Sequence, residues 1–200
     1  MDNPEQLIEL TANSISYESY FELFKQKSEI TDVTSFSADE AEKLSNVKIN
    51  FQRSSRIHRT YQPNEFLKEA VQNIKERQFW FLITESWCGD SAQNIPYIVE
   101  IAKLNPLIEI KIVLRDQNLD FMDLYLTNGN RSIPKLIAFD ENQNELFQWG
   151  PRPKEAHELV MRLKEEGKAK TEFLEQLHLW YGRNRGKVLE SEMIELLNSL

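Results

Sequence analysis

An apolar strand that leads directly into a helix, with the only cysteine of the chain at the junction, most constrains the fold. Residues 79–84 (FWFLIT) are a short continuous apolar run, which is typical of a strand buried on both faces. Residues 92–104 then have helical spacing, and residues 108–114 are a second run of strand length. Two strands joined through a helix form a crossover, so the sequence predicts that they pair in parallel.

A hairpin and two further helices complete the predicted sheet domain. The apolar segments 136–139 and 145–149 flank a polar turn at 140–144, and this pattern indicates an antiparallel strand pair. Residues 64–78 and 154–166 have the periodicity of amphipathic helices. The sequence therefore predicts an α/β fold in which a mixed sheet is flanked by helices on both faces.

Helical segments extend this domain at both ends. Asn3 and Pro4 are typical of a helix start, and Ser37 followed by Glu40 forms the capping-box pattern of a later helix. Beyond residue 167, apolar residues again recur at helical spacing. We therefore divide the chain into a helical N-terminal extension at 1–62, a sheet domain at 63–167 and a helical C-terminal extension at 168–200.

Charge and cysteine content argue against several classes of protein. The formal net charge of −8 disfavours general nucleic-acid binding, which requires clustered cations to neutralise phosphates. No apolar run is long enough to cross a bilayer, and residues 1–5 lack a basic start followed by an apolar stretch, so we expect neither a membrane segment nor a signal peptide. A single cysteine permits no internal disulfide, which fits a reducing compartment and favours the cytoplasm.

One cluster of basic residues departs from the acidic balance. Arg53, Arg56, His58 and Arg59 lie close together in the sequence, with Lys48 a little before them. The cluster is either an anion-binding face or the solvated face of a helix, and the second interpretation is favoured because most charge runs are solvated faces.

Other candidate residues carry weaker signals. His58, His157 and His178 lie in separate predicted helices without ligand spacing, so we expect no metal site and no cofactor. Arg131 and Lys135 flank a proline loop and could attract an acidic group, although exposed loop cations are more often incidental.

Cys88 lies where the first turn of the predicted helix begins. Backbone N–H groups and the positive end of the helix dipole at such a position favour the thiolate, which is the nucleophilic form of cysteine. Ser91 occupies the position three residues later, so Cys88 has no local partner for a disulfide.

The junction resembles the active site of the thioredoxin superfamily. Trp87, Cys88 and Gly89 stand between strand and helix, and Pro96 follows the cysteine at the distance of the proline that kinks the active-site helix in thioredoxins. The resemblance covers residues 64–166, about half of the chain.

Two further positions support the same resemblance. The segment 132–134 (SIP) precedes the third predicted strand, as does the loop that holds the cis-proline of the family, and Gly150 follows the last strand, where the family has a glycine beside the site. The resemblance implies that Pro134 follows a cis peptide bond, which is rare enough to mark a built feature. It also implies that the backbone of Ile133 pairs with an extended substrate.

Site roles follow from the resemblance. Cys88 is the expected nucleophile, and Ser91 is expected to assist by donating a hydrogen bond to its thiolate. The expected substrate-binding positions, with Trp87 as the apolar wall beside the sulfur, are Trp87, Gly89, Asp90, Ile133 and Pro134.

Three positions depart from the dithiol thioredoxins. Ser91 replaces the resolving cysteine, Leu82 stands where the family has a buried acid, and Asp90 replaces a proline. The carboxylate of Asp90 opposes thiolate formation at the neighbouring sulfur, whereas the helix start favours it. We therefore expect Cys88 to be less acidic than a typical redox thiol and more acidic than a free cysteine.

Three functions remain open at this point. In the first, Cys88 performs exchange on a disulfide-containing protein or a low-molecular-weight mixed disulfide, and an external thiol resolves the product. In the second, the site has lost catalysis and the domain is an interaction module with a peptide-binding groove between Trp87 and Pro134. In the third and weakest, Cys88 ligates a shared iron–sulfur cluster, as Cys-Gly-x-Ser motifs do in monothiol glutaredoxins. The sequence does not decide whether turnover occurs.

Overall fold

A four-stranded mixed sheet is the centre of the computed structural model, which describes residues 13–200. The strands lie in the order β2-β1-β3-β4, with β1 parallel to β2 and antiparallel to β3, and with β3 antiparallel to β4. Both the predicted crossover and the predicted hairpin are therefore confirmed. The strands are β1 (Gln78–Thr84), β2 (Ile108–Leu114), β3 (Lys135–Asp140) and β4 (Glu145–Trp149).

Helices cover both faces of the sheet, as the α/β prediction required. Within residues 13–200, no helix combines the length and the apolarity needed to cross a membrane. The helices are α1 (Tyr17–Ser28), α2 (Ala38–Thr60), α3 (Glu65–Gln72), α4 (Gly89–Ala102), α5 (Leu119–Asp123), α6 (Lys154–Glu165), α7 (Lys170–Asn184) and α8 (Lys187–Asn198), with a 3₁₀ turn at Arg115–Gln117.

Two of the helix boundaries differ from the sequence prediction. Helix α3 was predicted to reach residue 78 but ends at Gln72, because the chain turns at Asn73 and Ile74 before Gln78 begins β1. Helix α4 begins at Gly89, directly after the cysteine, which agrees with the predicted position of Cys88 at the first turn. It ends at Ala102, before the predicted end at residue 104.

The continuous apolar run of β1 is explained by two cores, one on each face of the sheet. Trp80 and Leu82 are fully buried in the core that α2, α3 and α4 cover. Phe81 and Ile83 are fully buried in a second core with Phe121 of α5. A strand between two cores has no polar face, which is why alternation is absent from its sequence.

The N-terminal helices are attached to the sheet domain by backbone and side-chain hydrogen bonds. Ile15 exchanges two backbone hydrogen bonds with Ile112, of 2.9 and 2.8 Å, at the outer edge of β2. The predicted capping box of Ser37 and Glu40 is present at the start of α2. The predicted helix start at Asn3 and Pro4 lies outside the described residues.

Helix α2 packs along α4 and contacts the turn that carries the cysteine. Asn50, which is buried, donates a side-chain hydrogen bond of 3.2 Å to the carbonyl of Ser86. Ser54 donates one of 3.1 Å to the carbonyl of Ala92. The long N-terminal helix thus supports both sides of the strand-to-helix junction.

The C-terminal helices are attached from the opposite end of the chain. Gly186, at φ +85°, makes the tight turn between α7 and α8, and a Cβ there would lie 2.6 Å from the ring of Tyr97 in α4. Helix α8 packs against α3, where Asn64 donates a short side-chain hydrogen bond to Glu190. The division at residues 62 and 167 stays a prediction.

We expect Asn105→Ala to lower the free energy of unfolding by about 2–3 kcal/mol, because it leaves buried carbonyls without a partner. The Asn105 amide donates to the carbonyls of Val71 and Ile74, at 2.9 and 3.0 Å, and its oxygen accepts from the N–H of Leu107. Urea denaturation followed by circular dichroism measures the change. Asn198→Ala is the control, since that side chain is exposed, and an equal loss in both variants would contradict this account.

Candidate functional site

Cys88 lies at the N-cap of α4, immediately after the turn that follows β1. Its backbone is extended, and its N–H donates to the carbonyl of Glu85 at 3.1 Å, which closes the turn. The residue is half-buried, and it packs at the border of the core that contains Phe81 and Ile133. The side chain makes no capping hydrogen bond, so the sulfur is directed elsewhere.

The sulfur faces the proline loop. The peptide bond between Ile133 and Pro134 is cis, which confirms the sequence prediction. The thiol of Cys88 donates to the Ile133 carbonyl at 3.3 Å. Among residues 13–200, no group accepts a hydrogen bond from the N–H of Ile133. The carbonyl of Ile133 therefore contacts the cysteine, and the N–H of Ile133 remains available to a substrate.

Gly150 supports the proline loop from behind. It has a φ of +119°, and a Cβ at this position would lie 2.3 Å from the carbonyl oxygen of Pro134. Only a residue without a side chain allows this approach, which explains the glycine that the resemblance pointed to. The peptide bond from Gly150 to Pro151 is also cis, and the sequence analysis did not predict it.

The expectation that Cys88 is more acidic than a free cysteine was wrong, whereas it is less acidic than a typical redox thiol, as expected. Burial, and secondly the negative charge of Asp90, raise the pKa of the Cys88 thiol to about 11, above that of a free cysteine. Hydrogen-bond donors at the start of α4 act in the opposite direction but do not compensate. The expectation compared only the effects of the helix start and of Asp90 on the pKa of Cys88. It omitted burial of the sulfur, which has the larger effect.

Ser91 lies under the sulfur, inside the first turn of α4. Only 2% of the residue is exposed, and its Oγ has no hydrogen-bond partner among the described residues. The hydroxyl acts to lower the pKa of the Cys88 thiol, against the larger effects of burial and of Asp90. While Cys88 is a neutral thiol, the Ser91 hydroxyl donates to no group of residues 13–200. It therefore remains available to donate to the Cys88 thiolate, which is the role that the sequence predicted.

Asp90 is held by the C-terminal part of the chain. Tyr181 of α7 donates to one carboxylate oxygen at 2.6 Å, and Arg152 forms a short ion pair with the other. Asn94 completes the cluster by donating to the Tyr181 hydroxyl at 3.0 Å. Sequence reasoning placed Asp90 among the substrate-binding residues, whereas its carboxylate is occupied by two partners of the same chain.

The sequence analysis missed Arg152 and Tyr181. They lie 62 and 91 residues after Asp90, and no local pattern marks either of them. The only available signal was the unusual acid at the position of a family proline, since an acid at a half-buried helix start requires a partner.

Trp87 and Gly89 flank the cysteine in different directions. Trp87 is half-buried between two cations, with the Arg115 guanidinium 4.8 Å and the Lys43 amine 5.9 Å from its ring centroid. Gly89 instead faces α7, because a Cβ there would lie 3.1 Å from Cε1 of His178. The predicted apolar wall is therefore a ring stacked with cations, and Gly89 lies against α7.

A buried acid lies near the cysteine even though Leu82 does not supply one. Glu85, three residues before Cys88, is 6% exposed and accepts from the N–H of Asp116 at 2.9 Å. Burial raises the pKa of this carboxyl. Tyr20 of α1 is also buried near Glu85 and Cys88. Burial is the main cause that raises the pKa of its hydroxyl, and the charges of Cys88 and Glu85 raise it further.

The remaining candidate residues separate in the structure. His58 bonds to Tyr17 and Glu100, at 2.6 and 2.8 Å, and so does not join the basic cluster. Arg131 forms a two-point ion pair with Asp123. Within residues 13–200, no three His, Cys, Asp or Glu side chains are grouped so that they could hold a metal ion.

Lys135, the first residue of β3, is 8% exposed and makes no ion pair within residues 13–200. Burial lowers the pKa of its amine, against a smaller opposing effect of Glu145. It is thus a buried cation, whereas the sequence predicted an exposed one.

A cysteine at a helix start that faces a cis-proline loop at the same edge of a mixed sheet is the arrangement of thioredoxin-like proteins. The sequence profile of the thioredoxin family matches residues 37–169, and the chain belongs to this family. No curated protein matches the chain.

Two solved structures share the fold. A protein of unknown function from Pseudomonas aeruginosa has 16% identity and a TM-score of 0.62, with 96% of each chain covered. An HIV epitope scaffold has 18% identity and a TM-score of 0.57, with 93% of this chain and 99% of that chain covered. At these identities the similarity is evidence for the fold alone.

We expect Gly150→Ala to lower the free energy of unfolding by more than about 2 kcal/mol, because the added methyl group must displace the carbonyl of Pro134. Gly129→Ala is the matched control: this glycine has a φ of +73° but no atom within 4 Å of the Cβ position, so only about 1 kcal/mol of backbone strain is expected. Urea denaturation measures both. Equal losses would show that the contact with the proline loop is unimportant.

We expect alkylation of Cys88 by iodoacetamide to keep accelerating up to pH 10, because the thiolate becomes abundant only near a pKa of about 11. Asp90→Asn should lower this pKa and accelerate alkylation at pH 8. The rate should rise about threefold for each unit by which the pKa falls, since the lower nucleophilicity of a weaker base offsets part of the gain in thiolate.

Ser91→Ala is the matched variant with the opposite sign, because removing a donor to the thiolate raises the pKa of Cys88. Intact mass spectrometry follows all three proteins. Equal rates for Asp90→Asn and the unmodified chain would contradict the electrostatic role of Asp90.

Proposed function

We propose that the protein catalyses monothiol thiol–disulfide exchange, with Cys88 as the nucleophile. The observation that carries the proposal is the 3.3 Å contact between the Cys88 sulfur and the carbonyl of Ile133, beside the cis bond to Pro134. A half-buried sulfur next to a backbone edge can receive an extended segment and its disulfide together.

Substrate docking relies on backbone groups of the proline loop. The free N–H of Ile133 offers a hydrogen bond to an extended chain, and Gly150 holds the loop in place through its contact with Pro134. Trp87, which already stacks with Arg115, supplies a flat ring beside the sulfur. These features favour a disulfide within a peptide or protein, or a small mixed disulfide with a peptide-like part.

The chemistry needs one enzyme thiol and one external thiol. The Cys88 thiol loses its proton to solvent, and the thiolate attacks one sulfur of a mixed disulfide, which forms a new bond to Cys88 and releases the other sulfur as a thiolate. A low-molecular-weight thiolate then attacks the substrate sulfur of the enzyme-bound disulfide, which releases Cys88 as a thiolate and carries the substrate half away in a new mixed disulfide with the external thiol. Ser91 donates to the Cys88 thiolate before the first step and after the second.

The raised pKa sets the rate of this reaction. With a pKa of about 11, only about one Cys88 in ten thousand is a thiolate at pH 7. Exchange at neutral pH is therefore slow for a free small substrate, and activity rises with pH. A substrate that brings a positive charge near the sulfur would accelerate the first step by stabilising the thiolate.

The same sequence features support a setting for this activity. A chain with one cysteine cannot form a resolving disulfide within itself, so the reaction relies on a pool of small thiols. We infer the cytoplasm as the compartment. The predicted extensions at 1–62 and 168–200 are proposed to support the site, as the hydrogen bonds of Asn50 and Tyr181 illustrate.

A second candidate function is a non-catalytic interaction module. The pKa of about 11 favours it, because a neutral thiol that donates to Ile133 acts as a structural contact rather than as a nucleophile. In this function the proline loop binds a partner segment through the free N–H of Ile133, and Cys88 keeps the loop in position.

We expect the protein to convert a peptide mixed disulfide in the presence of an external thiol, and Cys88→Ala to abolish that turnover, because no other cysteine is present. Rates are measured at pH 8 and 9.5, and intact mass detects the adduct on Cys88. Ser91→Ala, which keeps the thiol, should slow turnover several-fold without abolishing it.

Turnover that persists in Cys88→Ala, or an unmodified chain that forms no adduct at either pH, would contradict the exchange function. If the peptide still perturbs the NMR signals of residues near Pro134 in that case, the interaction module is supported. Iron and sulfide absorbance in the purified protein would support the cluster carrier.

A further inference from the structure

Two adjoining cavities lie between the N-terminal helix α2 and the C-terminal helices α7 and α8. Their volumes are about 500 and 540 Å³, and they share the lining residues Arg56 and Gly182. We call the two together the interhelical cleft. It is separate from the proline loop, and it exists only because both extensions pack on α4.

Four cations line the interhelical cleft without a carboxylate partner. Arg53, Arg56, Arg185 and Lys187 form no ion pair with any of residues 13–200, and the one hydrogen bond of Arg53 goes to the amide oxygen of Asn50. Arg53 is half-buried, and the charge of Arg56 lowers its pKa, after the larger effect of burial. Like charges held together in this way favour an anion between them.

Two carboxylates also lie in the cleft and do not neutralise it. Glu190 is 7% exposed and accepts a hydrogen bond from Asn64. Glu175 is exposed at the rim and makes no ion pair among the described residues. Four cations against two carboxylates leave this part of an acidic protein positively charged, which attracts small anions.

Two polar side chains of the cleft also lack hydrogen-bond partners. Gln93 of α4 is 4% exposed, and its side-chain amide makes no hydrogen bond within residues 13–200. His178 of α7 has a buried Nδ1 without a partner in the same part of the chain. Burial and the charge of Arg53 lower the pKa of His178 to about 4, so the ring is neutral at pH 7. A neutral imidazole and a free amide both offer an N–H donor.

We propose that the interhelical cleft binds a small multivalent oxyanion through Arg53 and Arg56, with Gln93 and His178 as further donors. Guanidinium groups bind phosphate and carboxylate oxygens through paired hydrogen bonds, and two of them in one cleft suit a ligand with more than one anionic group. This binding does not depend on Cys88 or on the exchange reaction.

The inference revises the interpretation of the basic cluster in the sequence. Of its members, Arg53 and Arg56 line the cleft, whereas His58 is bonded to Tyr17 and Glu100. Arg59 is exposed and lies outside the cleft. Arg59 therefore fits the favoured interpretation of a solvated helix face, whereas Arg53 is half-buried in the cleft and Arg56, although exposed, lines both of its cavities.

Isothermal titration calorimetry tests the proposal, with tripolyphosphate and citrate as probes at constant ionic strength. We expect the unmodified chain to bind one or both, and Arg53→Gln and Arg56→Gln each to weaken binding about tenfold or more. Arg59→Gln, in the same helix as Arg53 and Arg56, and Arg183→Gln, in α7 on the other side of the cleft, are matched controls that remove one exposed charge outside the cleft, and both should bind as the unmodified chain does.

The side chain of Arg56 makes no hydrogen bond or ion pair among residues 13–200, so Arg56→Gln keeps the test valid if Arg53→Gln disturbs Asn50. Binding of tripolyphosphate alone would assign a phosphate ligand, and binding of citrate alone a carboxylate ligand. Cys88→Ala should bind with unchanged affinity, whatever its turnover. The absence of heat at millimolar probe, or equal affinities for Arg56→Gln and Arg59→Gln, would overturn the proposal.

Discussion

The antiparallel pairing of β1 with β3 is the constraint on which the site depends. Ile83, next to the end of β1, lies opposite Lys135, the first residue of β3. The turn that follows β1 and the loop that precedes β3 therefore meet at the same edge of the sheet, which places the Cys88 sulfur beside Ile133. Because β1 is buried on both faces, this pairing cannot shift without exposing one of the two cores.

Burial has opposite effects on the shape and on the reactivity of the site. The same packing that brings the sulfur to the proline loop removes it from water and favours the neutral thiol. The buried Ser91 hydroxyl has no partner among the described residues, whereas the carboxylate of Asp90 is held by Arg152 and Tyr181. The charge state of Cys88 is thus governed by contacts to distant parts of the chain.

Sequence patterns predicted the sheet domain because its signals are local. The apolar run of β1, the turn of the hairpin and the Ile133–Pro134 pair each need only a few neighbouring residues to be interpreted, and the structure contains all three. The resemblance to thioredoxins added the cis bond and the supporting glycine.

The partners of the site could not be predicted in the same way. Tyr181 and His178 both lie in α7, where Tyr181 bonds to Asp90 and His178 lies against Gly89. Their roles therefore depend on how α7 packs on α4. The pKa of Cys88 likewise follows from burial in the folded chain, which no local pattern records. Arg53 and Arg56 were visible as a basic cluster, but their shared cleft was not.

The bridge between Ile15 and Ile112 has a consequence for how the protein meets other chains. The edge strands of a sheet can pair with strands of other chains, because their outer backbone N–H and C=O groups lack partners. Here the margin on the β2 side is occupied in part by the segment before α1, and β4 on the other side is only five residues long and is irregularly paired near Ala138. Short and interrupted margins of this kind are poor templates for aggregation, which helps to keep copies of the chain apart at high concentration.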